Sequence, residues 1–267
     1  MKKWFERCSW NLKICARLLQ RDMYVFKEAA VSRLINTAVW VWMIIYIYEY
    51  VGLGFSGVLE LGLFIACSEC IARGFMGLFG NLVRLLCDLK GSNTLSYHLS
   101  LPAPHWMVLV TVAISQAIQL MILAAVVFPI AGVILHKRLL EVPFSCFKIG
   151  IIFLLAYLFY GFLTLLYAGL IDSTDKIGTL RVRFNDVFFW LGAYFFTWQR
   201  LYTANHIFAY VDLLNPLVYA CEGMRAAVMG QAGYLSFWIC CLALAGFSVV
   251  IGYWGVQRMM RKLDCVR

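Results

Sequence analysis

Charged and polar side chains interrupt two of the most apolar stretches of this chain. Glu69 and Arg73 lie four residues apart in "FIACSECIARGFMG", so they share one helix face and can form an ion pair. Glu60 precedes them in the same apolar stretch. Such charges usually face protein or water, which makes these three residues candidates for structural ion pairing or for lining a pathway. Gln116 and Gln119 form a polar patch in the next stretch, where glutamines commonly bond across helices.

Metal binding and catalysis have weaker support in the sequence. Cys67 and Cys70 have the CxxC spacing, but no histidine and no second pair lies near them, so we interpret them as packing residues. The four histidines are scattered, and a metal site is not expected. No Ser/His/Asp or Cys/His arrangement is visible along the chain. We therefore expect no catalytic residues, no bound cofactor and no enzymatic activity of this chain.

The composition is that of a membrane protein. The chain has 267 residues, of which 63% are hydrophobic and 14% are charged, and its mean hydropathy is +0.80. A soluble domain is about half apolar and about a quarter charged. The sequence therefore predicts an all-α polytopic membrane protein with a single membrane domain.

Six apolar stretches are candidates for membrane-spanning helices. Five are long enough to cross the hydrocarbon core, which takes about 20 residues. They cover roughly residues 34–53, 56–80, 106–135, 147–171 and 232–257. The sixth, at about 184–200, is shorter, and aromatic residues lie at its ends, as at a membrane interface. We predict six transmembrane helices.

The first 33 residues are basic and patterned differently. Apolar residues recur there at steps of three and four, with lysines and arginines mostly between them. This pattern predicts an amphipathic helix on the inner leaflet, and an ordinary solvated basic leader is the alternative. The stretch lacks the features of a cleaved signal peptide. We divide the chain into this interface helix, residues 1–33, and a transmembrane domain, residues 34–267.

The basic residues predict an orientation. With six crossings and the N-terminus inside, eighteen of the 23 lysines and arginines lie on the inner segments and five on the outer ones. By the positive-inside rule, both termini are then cytoplasmic. The net charge of +9 is mostly a signal of topology and of attraction to anionic lipid, and nucleic acid is not an expected partner.

The segment "LLNPLVYACEGMRAAVMG", residues 213–230, is apolar yet contains helix-breaking and charged residues. A seventh crossing here would place the basic C-terminal residues outside, which is costly. We predict instead two short helices that enter from the outer face and return. Pro216 lacks an N–H and disfavours helix at Asn215, so these residues mark the break, and Gly230 is the expected C-cap. Irregular backbone at membrane depth must be buried or line a cavity, which suggests an outer gate.

The connection between the second and third stretches lies inside in this topology. It reads "CDLKGSNTLSYHLSLPAPHW", residues 87–106. Gly91 can break the preceding helix, Leu95 and Leu99 offer an apolar face, and Pro102 and Pro104 end the element. The pattern predicts a short helix held at the cytoplasmic surface, and a plain connecting loop is the alternative.

These motifs resemble those of ABC-2 type transporter permeases. The loop is similar to that family's "GTL…LLSLP" signature, although one or two extra residues stand between Gly91 and Thr94. Residues 213–230 are similar to the family's "NPL.Y..E..R….G" segment. The order of an amphipathic leader, six spans and a wide outer insertion between the fifth and sixth spans extends the resemblance over essentially the whole chain.

The resemblance implies partners and roles. Two permeases, as copies or homologues, would associate with two cytoplasmic ATPase subunits in the plasma membrane, and the ATPases would bind ATP and Mg²⁺. The coupling helix that contacts the ATPase would include Ser92, Asn93, Thr94, Leu95, His98 and Leu99. The outer re-entrant gate would include Asn215, Pro216, Tyr219, Glu222 and Arg225.

Two other functions remain open at this stage. A membrane-embedded lipid-modifying enzyme would need clustered acidic, basic or histidine side chains at one interface. A secondary transporter or channel would need an ionisable relay or paired broken helices, and only one broken segment is visible. The aromatic and apolar composition favours a lipid, a lipid-linked saccharide or an amphipathic drug as the substrate of an exporter.

Overall fold

The computed structural model describes residues 2–51, 61–89, 103–136, 142–171 and 175–264. These parts are helical apart from short turns, and they contain no strand. The helices in chain order are α1 (Lys2–Tyr46), α2 (Leu61–Cys87), α3 (His105–Ala125), α4 (Val127–Ile134), α5 (Cys146–Leu170), α6 (Lys176–Leu180), α7 (Asp186–Trp190), α8 (Trp198–Ala204), α9 (His206–Asp212), α10 (Pro216–Val228) and α11 (Phe237–Asp264). Two π-helical segments, Ile47–Val51 and Arg181–Asn185, extend α1 and join α6 to α7.

Five segments of the described chain are long and apolar enough to cross a membrane. They are Ala30–Tyr50, Leu61–Cys87, His105–Ile134, Cys146–Leu170 and Phe237–Leu263. The prediction of an all-helical, multi-pass membrane protein is therefore confirmed at this level. All five correspond to stretches predicted from the sequence.

The shortest predicted span, at about 184–200, does not form one straight helix. Residues 176–190 are helical through α6, the π-helical segment and α7, and residues 191–197 then form turns before α8 begins. The helical part is shorter than the roughly 20 residues that a full crossing requires. Its extension to residue 200 is interrupted because Ala193 has a positive φ of 54°, which no helix accommodates.

The predicted boundary at residue 33 corresponds to no break in α1. This helix has 45 residues, so it is about 68 Å long at about 1.5 Å per residue. It contains neither glycine nor proline that could end it. Leu18 and Phe26 are buried, but the apolar residues Trp10, Tyr24 and Val25 of this part of α1 are exposed. The amphipathic interface helix stays a prediction.

The core of the bundle is built around α5. This helix packs most extensively against α11 and α3, and it also contacts α2 and α10. Gly161 allows the close approach of α3, because a Cβ at this position would collide with the backbone carbonyl of Ala113. Tyr157 is fully buried, and its hydroxyl donates to the carbonyl of Cys70 at 2.7 Å, which satisfies the polar group.

Basic side chains in the last turns of α2 and α11 make interhelical bonds. Lys262 donates to the carbonyls of Ala168 and Ile171 at the C-terminus of α5, where a positive charge also complements the helix dipole. In the last turn of α2, Arg84 donates to Gln119 of α3.

Candidate functional site

Local sequence signals define α10. Asn215 is the N-cap, and its side-chain oxygen accepts from the backbone N–H of Leu217 at 3.1 Å. Pro216 occupies the first helical position, where its missing N–H costs nothing. The helix ends at Val228, and Gly230 follows with a φ of 97°. The predicted break and closing glycine therefore lie where the sequence placed them.

Arg225 is the most buried large side chain of α10. It has no exposed surface, and its guanidinium donates to the Ser68 hydroxyl of α2 at 2.5 Å. It also donates to the carbonyls of Ala193 at 2.6 Å and Tyr194 at 2.9 Å, and to that of Phe196 at 3.0 Å. These carbonyls belong to a buried, irregular stretch of backbone. The Arg225 side chain supplies the hydrogen-bond donors that a regular helix would otherwise provide.

Glu222 balances this charge from the preceding turn of α10. Its carboxylate lies 3.4 Å from the Arg225 guanidinium and accepts from the backbone N–H groups of Trp198 and Leu235, each at 3.1 Å. Burial raises the pKa of Glu222, while Arg225 and the two N–H donors act in the opposite direction. The carboxylate joins three separate parts of the chain: the start of α8, the connection before α11, and α10 itself.

A second ion pair lies beside the first. Glu69 and Arg73 on α2 are paired, as their four-residue spacing predicts. The Tyr194 hydroxyl donates to Glu69 at 2.7 Å, while the Tyr194 carbonyl accepts from Arg225. Tyr194 therefore links the two pairs. We call the connected group the ionic cluster, and it consists of Ser68, Glu69, Arg73, Tyr194, Glu222 and Arg225.

The ionic cluster holds the turn at 191–197 between α2 and α10. Ala193 in this turn is fully buried and has a positive φ, a conformation that is uncommon for residues other than glycine. Such backbone persists only when its surroundings impose it, and here Arg225 binds its carbonyl. Asn215 adds a further tie, because its side-chain amide donates to the carbonyl of Phe188 at 2.7 Å.

Asp212 is a buried acid beside the ionic cluster. Its side chain is 4% exposed, and neither carboxylate oxygen has a hydrogen-bond partner among the described residues. It lies at the end of α9, outside the five candidate spans. Burial, together with the negative charge of Glu222, raises the pKa of Asp212 to about 7.

The remaining predicted residues lie apart from the ionic cluster. The Tyr219 ring packs against Phe247 of α11, with 6.1 Å between the ring centroids. Gln119 accepts from Arg84 and donates to Ser115 at 3.2 Å, and the side-chain oxygen of the buried Gln116 has no partner within the described parts. Glu60 and the predicted coupling residues, Ser92, Asn93, Thr94, Leu95, His98 and Leu99, lie outside the described residues.

Sequence reasoning missed two members of the ionic cluster and the site's outlying acid. Ser68 stands inside the CxxC motif that was interpreted only as packing. Tyr194 is one of many aromatic residues in its stretch and lies 125 positions from Glu69, so nothing local connects them. Asp212 belongs to none of the motifs that indicated a site in the sequence.

The ionic cluster is suited to holding helices together, because its charged side chains pair with one another. Glu222 accepts from Trp198, Leu235 and Arg225, and both terminal nitrogens of Arg225 donate, whereas the buried Arg225 Nε has no hydrogen-bond partner among the described residues. Among the described residues, no group of three or more His, Cys, Asp or Glu side chains could hold a metal ion. The site is therefore best described as a buried polar connection between α2, α10 and the turn at 191–197.

Compared with protein-family models, with curated proteins and with solved structures, the chain shows no match. The resemblance to ABC-2 permeases stays a prediction from the residues of this chain and from their order.

Proposed function

We propose that this chain is the permease subunit of an ATP-driven ABC-2 type exporter. It forms the transport path with a second permease, a copy or a homologue, and couples to cytoplasmic ATPase subunits. The observation that carries the proposal is the segment 213–230. Its residues follow the order of the ABC-2 segment, and its two charged residues, Glu222 and Arg225, tie α10 to α2 through the ionic cluster.

The buried ion pair of Glu222 and Arg225 favours a role of this site in conformational change. Replacing a buried ion pair by apolar residues is often neutral or stabilising, so stability alone does not explain such a pair. Ionisable residues within membrane segments are by default candidates for function. Salt bridges at packed interfaces are also exchanged in known conformational transitions.

In the proposed topology the chain crosses the membrane six times. The fifth crossing in chain order is the short stretch at about 184–200, which contains α7 and the turn at 191–197. The helices α8, α9 and α10 enter from the outer face and return, forming the outer gate. The bonds from Arg225 to the turn support this, because irregular backbone at membrane depth must be satisfied within the protein.

Both termini are placed in the cytoplasm, in a plasma membrane. The positions of basic side chains support this orientation. Lys262 makes its bonds at the end of the bundle where α5 and α11 finish, and Arg84 stands in the last turn of α2. The ionic cluster lies toward the other end, near the start of α5, where the N–H of Ser145 donates to Ala227 at 3.1 Å. The positive-inside rule then makes the first end cytoplasmic.

The proposed mechanism begins with the ATPase subunits. ATP and Mg²⁺ bind to the ATPase subunits, whose closure pushes on the coupling helix around residues 92–99 and on the N-terminal part of α1. The coupling segment follows α2 directly, so its displacement moves α2. Because α2 bears Ser68 and Glu69, this motion separates them from Arg225 and Tyr194 and releases the turn at 191–197. The outer gate then opens for a lipid, a lipid-linked saccharide or an amphipathic drug.

Recovery of the partner tests the proposal. The tagged chain is purified in mild detergent from its native cells, and the copurifying proteins are identified and assayed for ATP hydrolysis. A variant with Leu95→Asp and Leu99→Asp is compared with one carrying Leu139→Asp and Leu140→Asp. The second pair is the matched control, because it makes the same change in a loop predicted to lie outside.

We expect an ATPase subunit to copurify with the wild type and the control but not with the Leu95/Leu99 variant. A chain that purifies alone with an activity of its own would support a membrane-embedded enzyme instead. Retention of the ATPase by the Leu95/Leu99 variant would show that the coupling helix is assigned to the wrong segment.

A further inference from the structure

A second feature of the bundle is a cavity of about 430 Å³ between α2, α4, α5 and α10. This volume is within the range of about 300–1,000 Å³ that is usual for ligand sites. The walls are formed by aliphatic, aromatic and sulfur-containing side chains. Those on which the argument depends are Cys67, Phe128, Ala131, Ile149, Phe153 and Met224.

The chemistry of the walls excludes a polar ligand. The lining residues include no charged side chain and no amide or hydroxyl side chain. The polar side-chain groups they offer are the thiols of Cys67, Cys70 and Cys146, which are free and bond weakly. Any hydrogen-bonding group of a ligand placed here would lose its contacts with water and gain almost none in return. The cavity therefore fits hydrocarbon.

The cavity opens sideways from the bundle. Phe128, Phe144 and Cys146, which stand at its mouth, are exposed, whereas Cys67 and Cys70 at its base are buried. The helices α2, α4 and α5 that frame it belong to candidate membrane spans. The medium at the mouth is then the bilayer rather than water. An empty apolar cavity is unfavourable because its walls lose dispersion contacts, and the cost increases with its volume. In a bilayer, the acyl chains of lipids can fill it and restore these contacts.

We propose that this cavity is a binding site for one acyl chain of a bilayer phospholipid. The head group stays outside, at the membrane surface near the start of α5. The bound chain contacts Met224 and Val228 of α10, which flank Arg225. It therefore braces the helix that contributes Glu222 and Arg225 to the ionic cluster. This inference depends on the membrane location of the chain and holds whether or not the protein is an exporter.

Photochemical labelling tests the site. The full chain is placed in nanodiscs of phosphatidylcholine that includes a fraction with a diazirine at the middle of one acyl chain. After irradiation, adducts are located by mass spectrometry of peptides. We expect adducts concentrated on Phe128, Ile149 and Phe153.

Two neighbouring residues of α4 provide the variant and its matched control. Ala131→Phe fills the cavity that Ala131 lines, whereas Gly132→Phe adds the same ring where nothing lies within 4 Å. The adducts are expected to persist in Gly132→Phe and to be lost in Ala131→Phe. Gly150→Phe, which places a ring at the open mouth on α5, is a second blocking variant if Ala131→Phe does not fold.

Three results would overturn the proposal. One is equal labelling of these residues in the wild type and in a folded blocking variant. Another is labelling spread evenly over α1 and α11, whose exposed apolar faces would capture the probe if no site existed. Labelling by a diazirine-bearing polyprenyl phosphate but not by the phospholipid would also refute the assignment, in favour of a substrate chain.

Discussion

Replacing Arg225 by methionine is the sharpest structural test of the ionic cluster. Methionine retains much of the volume but removes every bond that the guanidinium makes. The carbonyls of Ala193, Tyr194 and Phe196 lose a donor, and Glu222 keeps only its two backbone N–H partners.

The magnitude follows from the burial of both partners. Glu222 and Arg225 have no exposed surface, so removing one of them leaves a charge that water does not reach. Breaking a buried pair in this way costs about 3–5 kcal/mol. For a chain of this size that corresponds to a fall in Tm of roughly 6–20 °C, at about 2–4 °C per kcal/mol.

The chain contains its own reporter for the assay. Cys67, Cys70, Cys221 and Cys240 are buried and free, so a fluorogenic maleimide reacts with them when the fold opens. Tm is measured in this way for the wild type, Arg225→Met, Glu222→Gln and the double variant. Glu222→Gln is the matched control, because it removes the negative charge but retains an oxygen acceptor and leaves Arg225 its carbonyl partners.

The order of the four Tm values decides the question. We expect Arg225→Met to be the least stable, Glu222→Gln to lose less, and the double variant to regain part of the Arg225→Met loss, because no unpaired carboxylate remains. An Arg225→Met chain within about 1 kcal/mol of the wild type would refute the argument from buried charge. A double variant no better than Arg225→Met would show that lost carbonyl bonds, and not Glu222, dominate.

Three further predictions concern single positions. The carboxyl of Asp212 has a pKa of about 7 in the fold against an ordinary value of 3.8, so the folded chain holds the proton more tightly. Stability therefore falls as pH rises from about 4 to 8, by at most about 4 kcal/mol, and Asp212→Asn removes that slope in Tm measurements at pH 5 and pH 8. Gly161→Val forces α5 away from the Ala113 carbonyl and is expected to cost about 1–3 kcal/mol or more, whereas Gly246→Ala, which has open space around it, stays within about 1 kcal/mol of the wild type. Asn215→Ala loses the N-cap of α10 and costs about 0.5–2 kcal/mol. Asn215→Ser also loses the amide donor to the Phe188 carbonyl but retains a capping oxygen, so it is expected to be more stable than Asn215→Ala; equal Tm values for these two variants would contradict the capping role.

Features with local causes could be predicted from the sequence. The five candidate spans follow from apolar length alone. The boundaries of α10 follow from Asn215, Pro216 and Gly230, whose chemistry acts on the adjacent backbone. The ion pair of Glu69 and Arg73 follows from their four-residue spacing on one helix.

Features with distant causes could not be predicted in this way. The turn at 191–197 interrupts an apolar, aromatic stretch because Arg225, about thirty residues later in the chain, binds its carbonyls. The continuity of α1 was missed for a different reason. The change from basic to apolar composition near residue 33 suggested two elements, yet composition does not end a helix, and neither proline nor glycine is present to do so.

The most direct test of the central claim is the exposure of position 68 during ATP turnover. Ser68 is fully buried beneath Arg225, so a cysteine placed there reports whether the ionic cluster opens. The Ser68→Cys chain, with its native cysteines replaced, is reconstituted with the copurified ATPase and treated with a membrane-impermeant maleimide from either side. The account predicts labelling from the outer side that requires ATP and Mg²⁺. Labelling that is equal without ATP, or that occurs only from the inner side, would contradict it.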